Sequence, residues 1–280
     1  MKITSRVFST FLLIIILAVT LLTSLFLNLS TPSLQAGTEP TKAAYLPLIM
    51  QPTDPNVTPT ATPNPEDFAN ILFDALPLEA PISKQLGQQQ AHLHPISFDH
   101  TGAITITAVA EPNINLVLEI RDASNTLLHK ANNGSSGELE TLANTQLEPT
   151  QDYNIRVYDL NGQAGHYCLI FNEAGGFPDS IRGRIAYGQM ETAALEVLGI
   201  DYWCFMGASG DNISLLVSPT GSSGDLVLAL FRPPDLYPIG SPFVADQILN
   251  IDLTTDGMHI IGILDFDAGT SEYTLTLNKN

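Results

Sequence analysis

The chain has 280 residues, a formal net charge of −18, and 44% apolar against 14% charged residues. That length suits one large domain or two of about 100 residues, and the apolar content excludes disorder throughout. With 29 acidic against 11 basic residues the chain repels phosphates, which excludes nucleic acid as a partner. Two uses remain for the acidity: solubility, or a surface for a hard cation such as Ca²⁺.

The first element is not part of a fold. Lys2 and Arg6 precede an uncharged apolar run over 11–29, and small residues follow as far as Ala36. Basic start, apolar run and small-residue exit make residues 1–36 a secretory signal; nineteen apolar residues can also span a bilayer, so an uncleaved N-terminal anchor is the alternative. Either way the remainder is extracytoplasmic, secreted or at the cell surface, and it meets a membrane only through this segment if uncleaved. Residues 37–77 read as a linker. "QPTDPNVTPTATPNPE" (51–66) favours extended polyproline geometry and offers little to bury. Beyond the signal, "EDFANILFDAL" (66–76) is the one window with helical periodicity past two turns.

From residue 78 onward the chain repeats itself. At an offset of 106, "LANTQLEPTQDYNIRVYDLNGQAGHYCLIFN" (142–172) falls without a gap on "ILNIDLTTDGMHIIGILDFDAGTSEYTLTLN" (248–278). Asn144 meets Asn250, Ile155 meets Ile261 and Tyr167 meets Tyr273. Upstream, with small gaps, "NLVLEI" (115–120) answers "DLVLAL" (225–230), and "FDHTGAITITAV" (98–109) answers "FMGASGDNISLLV" (205–217), which sets Ile96 and Phe98 opposite Trp203 and Phe205. A duplication gives two modules, 78–174 and 179–280. Within each, short segments alternate apolar and polar with period two between Gly, Asn, Asp and Pro turns. The fold class is therefore all-β, two tandem antiparallel sandwiches, with Tyr167 and Tyr273 buried in equivalent closing strands.

The second module runs Asp201, Trp203, Phe205, Ala208-Ser209-Gly210-Asp211, Asp225-Leu226-Val227-Leu228, Asp256-Gly257 and Tyr273-Thr274-Leu275. This pattern resembles the bacterial pre-peptidase C-terminal domain, and "IRDASNTLLHKANNG" (120–134) fits it in the first module. The resemblance covers 78–280. It implies a jelly-roll-like sandwich of the kind appended to secreted proteases and related to the collagen-binding domains of collagenases. His259 stands where the family has an aromatic residue, and Asp152 where it has glycine. In collagen-binding relatives calcium sits near the start of the module; Glu66, Asp67 and Asp74 lie in that neighbourhood here, without a residue-by-residue match.

Enzyme motifs are absent from the sequence: there is neither HExxH nor G-x-S-x-G, and Ser209 stands in a turn between strands. His92 and His94, two apart, have a spacing that can hold zinc, but Pro95 at a strand entrance favours exposed loop histidines. Asp159 in "DLNGQ" and Asp265 and Asp267 in "DFDAG" are the Ca²⁺ candidates, and plain turn chemistry is their alternative. Alternation turns Trp203 into the core and Tyr202 and Phe231 outward, as a sugar-binding row or as a packing surface. Cys168 and Cys204 also point off their own cores. In an oxidising compartment a pair is more useful than two thiols, so they are expected to form a disulfide across the junction of the modules, two unpaired cysteines being the alternative. The reading is a non-catalytic exported or cell-surface protein whose partner is an extracellular polymer, a glycan or a protein. The alternative is a detached accessory module of a secreted protease system, assisting folding or substrate delivery.

Overall fold

The computed structural model describes residues 63–280, apart from 97–101, 149–150, 222–223, 268–270 and the single positions 175, 177, 235, 241 and 244. The signal or anchor (1–36) and the linker up to residue 62 lie outside the described residues, as does Phe98.

The first sandwich contains β1 (Ala69–Leu72), β2 (Ile82–Leu86), β3 (Gln90–Ile96), β4 (Gly102–Ala110), β5 (Leu116–Asp122), β6 (Leu127–Ala131), β7 (Leu139–Leu147), β8 (Tyr153–Asp159) and β9 (Gly165–Glu173). The second contains β10 (Ser180–Arg184), β11 (Gln189–Leu195), β12 (Asp201–Gly207), β13 (Asn212–Pro219), β14 (Leu226–Arg232), β15 (Tyr237–Pro238), β16 (Gln247–Asp252), β17 (Gly257–Asp265) and β18 (Ser271–Lys279). In the first sandwich, sheet A has the order β1-β3-β8-β5-β6 and sheet B the order β2-β9-β4-β7. In the second, sheet C is β10-β12-β17-β14-β15 and sheet D is β11-β18-β13-β16. The strand order is thus identical, strand for strand. Even the departure from antiparallel pairing is repeated, since β1 runs parallel to β3 and β10 parallel to β12.

Period-two alternation fills each core. On β9, Tyr167, Leu169 and Phe171 face Ile96, Leu118 and Ile155 of sheet A; on β18, Tyr273, Leu275 and Leu277 face Phe205, Leu228 and Ile261 of sheet C. The aligned asparagines have a structural cause. Asn144 and Asn250 sit at register shifts in β7 and β16 with φ of 49° and 52°, and asparagine tolerates this left-handed geometry.

Three expectations are corrected. The helix expected over 66–76 is a short 3-10 turn, Pro65–Asp67, followed by strand β1. An isolated helix of that length is marginal, whereas β3 offers an open edge to pair with. The linker therefore ends near residue 64, because Phe68 and Leu76 are already packed into the first sandwich. The upstream alignment holds for 115–120 on 225–230, since Leu116 pairs with Asp159 as Leu226 does with Asp265, but at β3 and β12 it is two residues out of step. Ile155 pairs with His94 and its counterpart Ile261 with Trp203; Val157 pairs with His92 and Ile263 with Asp201. His94 thus answers Trp203, His92 answers Asp201, and Ile96 answers Phe205.

The sandwiches stack. Val109, Cys168 and Ile170 on the outer face of sheet B meet Ile181, Tyr202, Cys204, Met258 and Ile260 on the outer face of sheet C in one buried apolar cluster. The layer order through the molecule is A, B, C, D.

Candidate functional site

Four features hold the chemically able side chains: a tyrosine-centred tie in each core, the junction, an ionic cover on sheet A, and the open face of sheet D.

In the first core the Tyr167 hydroxyl lies 2.8 Å from both His92 Nδ1 and His94 Nε2. The phenol has one proton, so it donates to one ring and accepts from the other. Phe73 stacks on His94 with ring centroids 5.1 Å apart. These histidines are 2% and 1% exposed, not the loop residues expected. Burial, then the charge of Lys84, lowers the His92 pKa to about 4. Burial, then His92 and Lys84, lowers that of His94 to about 3. Both are neutral at physiological pH. In the second core the Tyr273 hydroxyl accepts from Trp203 Nε1 at 2.8 Å and donates to Asp201 Oδ2 at 2.7 Å. Arg182 Nε also donates to Asp201, at 2.6 Å. Burial raises the Asp201 pKa against these contacts. Each tie crosses the core from one sheet to the other, and Trp203 is a core residue at 6% exposure. His259 stacks on Phe205 at 5.2 Å.

At the junction a disulfide joins Cys168 to Cys204, with Cα atoms 6.7 Å apart. Both cysteines are turned away from their own cores and fully buried between the sandwiches. Ser83 Oγ donates to the Met258 carbonyl across the same contact, at 2.6 Å. Tyr202 is buried here and Phe231 packs against the cluster, so this outward row is packing surface, not a sugar platform. In the connecting segment Asp179 accepts from the Ile200 amide at 2.8 Å, and burial pushes its pKa up to about 6.

On the outer face of sheet A, Glu119 is buried among Arg121, Arg156, Tyr158 and Lys130. Burial pushes its carboxyl up, but hydrogen bonds from Tyr158 and Arg121 outweigh it, and the net shift is down. The entering chain closes over this network. Arg121 Nη2 contacts Glu66 at 2.7 Å, Arg156 donates to the Pro65 carbonyl, and Phe68 meets Tyr158 edge-on at 5.9 Å. Glu66 is thereby spent on an arginine.

The acidic turns anchor backbone. Asp159 accepts from the amides of Asn115, Asn161 and Gln163, at 2.7, 2.9 and 2.8 Å. Asp265 accepts from the amides of Asp225 and Asp267 and from Ser271 Oγ. Asp159 and Asp265 belong to different sandwiches and do not converge, and Asp267 is exposed. Among the described residues no group of three or more His, Cys, Asp or Glu side chains is placed to hold a metal ion. Ser209 sits in a turn in which its amide donates to Asp256 and Asp211 accepts from Ala208.

The outer face of sheet D is open. Thr192, Thr274 and Ser218 stand side by side across three strands; Met190, Thr276 and Leu216 form the next row, and Asn278 lies beside Ser214. These rows carry no charge in a chain of net charge −18. Sequence alternation turned Thr274 outward but gave no sign that its neighbours would also be uncharged.

No family model and no curated protein matches the chain in sequence. Two solved structures are similar in fold to part of it. The pre-peptidase C-terminal domain of a collagenase from Bacillus anthracis is 18% identical, with a TM-score of 0.31, over 37% of this chain and 100% of that one. PliG of Aeromonas hydrophila, a periplasmic inhibitor of g-type lysozyme, is 13% identical, with a TM-score of 0.30, over 36% of this chain and 99% of that one. Each likeness spans about as much chain as one sandwich.

Proposed function

We propose that this is an exported, non-catalytic protein in which two tandem sandwiches of the pre-peptidase C-terminal type form one rigid body that binds or displays at the cell surface. The observation that carries the reading is the junction: an apolar contact between sheets B and C, welded by Cys168–Cys204. A fixed relation between modules suits presentation of a surface, and a disulfide suits an oxidising compartment, in accord with the signal-like start. The uncharged rows of sheet D, lying between Glu272 and Asp252 on its outer face, are the surface offered, and the ligand is a matrix polymer, a glycan or a protein.

The test is retention of the exported protein on collagen, glycan and cell-wall resins, with and without Ca²⁺. Retention on one resin that is lost in Thr276→Lys supports the reading. Passage through all of them in both conditions overturns it.

A further inference from the structure

Every sheet has two edges, and an open, regular edge invites another strand. The fold disarms almost all of them. β1 and β15 have four and two residues. The pairings of β6, β7, β10 and β16 are broken by register shifts. β2 lies against the second sandwich, with Ser83 bonded to Met258. Among the described residues that leaves β11, the counterpart of β2. It pairs with β18 over seven consecutive residues without a shift and has no strand on its other side. Its sequence, "QMETAAL", contains one charge. The edge is also rimmed by exposed apolar side chains: Met190 at 66%, Val197 at 50% and Leu198 at 45%.

The hydrogen-bonding parity of this edge is fixed. The Ala194 carbonyl accepts from Arg182 Nη2 at 2.8 Å and so points away from β18. By alternation, the amides and carbonyls of Met190 and Thr192 point the same way. We propose that two copies of this chain associate through β11, each laid antiparallel on the other and centred on Thr192, so that two sheets D become one eight-stranded sheet. The Thr192 amides and carbonyls then bond across the two-fold axis, and Met190 pairs with the partner's Ala194. The Ala194 carbonyl keeps a second lone pair for that bond.

A second copy fits this edge because the strand is self-complementary. In the centred register all seven residues overlap, and Glu191 faces the partner's Ala193. A register centred one residue earlier sets Glu191 against the partner's Glu191, and like charges directly opposite are destabilising. Such a two-fold contact is closed and stops at a dimer.

The test is the mass of the exported, disulfide-intact protein by light scattering during gel filtration, at about 100 μM, where a micromolar association is saturated. The wild type is expected to be dimeric. Thr192 is exposed, so Thr192→Lys and Thr192→Glu should each keep the wild-type melting temperature and each run as a monomer. Mixing the two should restore the dimer, because position 192 faces itself only in the centred register. A monomeric wild type overturns the proposal, as does a dimer that survives Thr192→Lys or a mixture that stays monomeric. Binding of an added 189–195 peptide to a monomeric wild type would assign the edge to a foreign strand and equally overturn it.

Discussion

In the first sandwich the closing tyrosine meets two imidazoles; in the second it meets a carboxylate and an indole. The strand order, the crossing from sheet to sheet and the hydroxyl are the same, yet the proton linkage is opposite. Buried His92 and His94 have pKa values lowered to about 4 and about 3, so the unfolded chain binds more protons than the folded one below pH 6.5. Acid therefore weakens the first sandwich. Asp201 is raised, so the folded form holds the proton more tightly and stability falls as pH rises through its folded value. The comparison teaches that a duplicated fold conserves where a polar tie is needed but not which chemistry supplies it.

The comparison can be broken most forcefully at its indole. Trp203→Ala should cost about 3–5 kcal/mol, read from urea unfolding, because it removes a large buried ring and leaves Tyr273 short of a donor. A loss under about 1 kcal/mol would show that Trp203 is not a core residue.

Next is the weld between the two regions. The double variant Cys168→Ser/Cys204→Ser opens a loop whose ends are 36 residues apart, at a cost of about 3–4 kcal/mol in the chain-entropy model. Calorimetry should then separate one transition into two, as the sandwiches begin to melt on their own.

The acid limb sharpens the contrast itself. Between pH 6.5 and 4.5 the wild type should lose stability on the order of 4 kcal/mol from the histidine pair, and His92→Gln/His94→Gln should lose less by that amount, keeping only the acid loss of buried His259, which burial also lowers. Asp179, raised to about 6, acts in the opposite direction between there and pH 3.8, so the difference between the two proteins is the quantity to read. Glu119, whose net shift is down, adds its own acid loss only below about pH 4.5 and stays outside the window. Identical pH profiles for variant and wild type would remove the histidines from the account.

The smallest effects come from deleting the hydroxyls. Tyr273→Phe should cost about 2 kcal/mol, since it strips a hydrogen bond from a buried carboxyl, and Tyr167→Phe about 1 kcal/mol, since its partners are neutral. Equal losses would erase the distinction between the two ties.

Much of this fold was legible because its closing strands repeat without a gap: Tyr167 and Tyr273, Asn144 and Asn250, and Asp159 and Asp265 do the same work in both copies. Alternation was enough to turn Cys168 and Cys204 away from their cores and toward one junction. Legibility failed where loops differ in length. Matching Phe98 to Phe205 across a gap moved the register of β3 by two and hid the equivalence of His94 with Trp203. It failed again at His92 and His94, because a proline at a strand entrance says nothing about which face the histidines share. At β1, a sequence that suits either helix or strand was decided by the unpaired edge of β3, which local propensity does not contain.

The cover on sheet A has a mechanical consequence. Glu66 on Arg121 and the Pro65 carbonyl on Arg156 grip the chain just before its first strand. They act as strain relief, like the collar on a cable: tension on the entering chain loads this ionic grip over the broad face of sheet A before it reaches the four residues of β1. With four stacked sheets about 10 Å apart, the open face of sheet D stands roughly 30 Å from that grip.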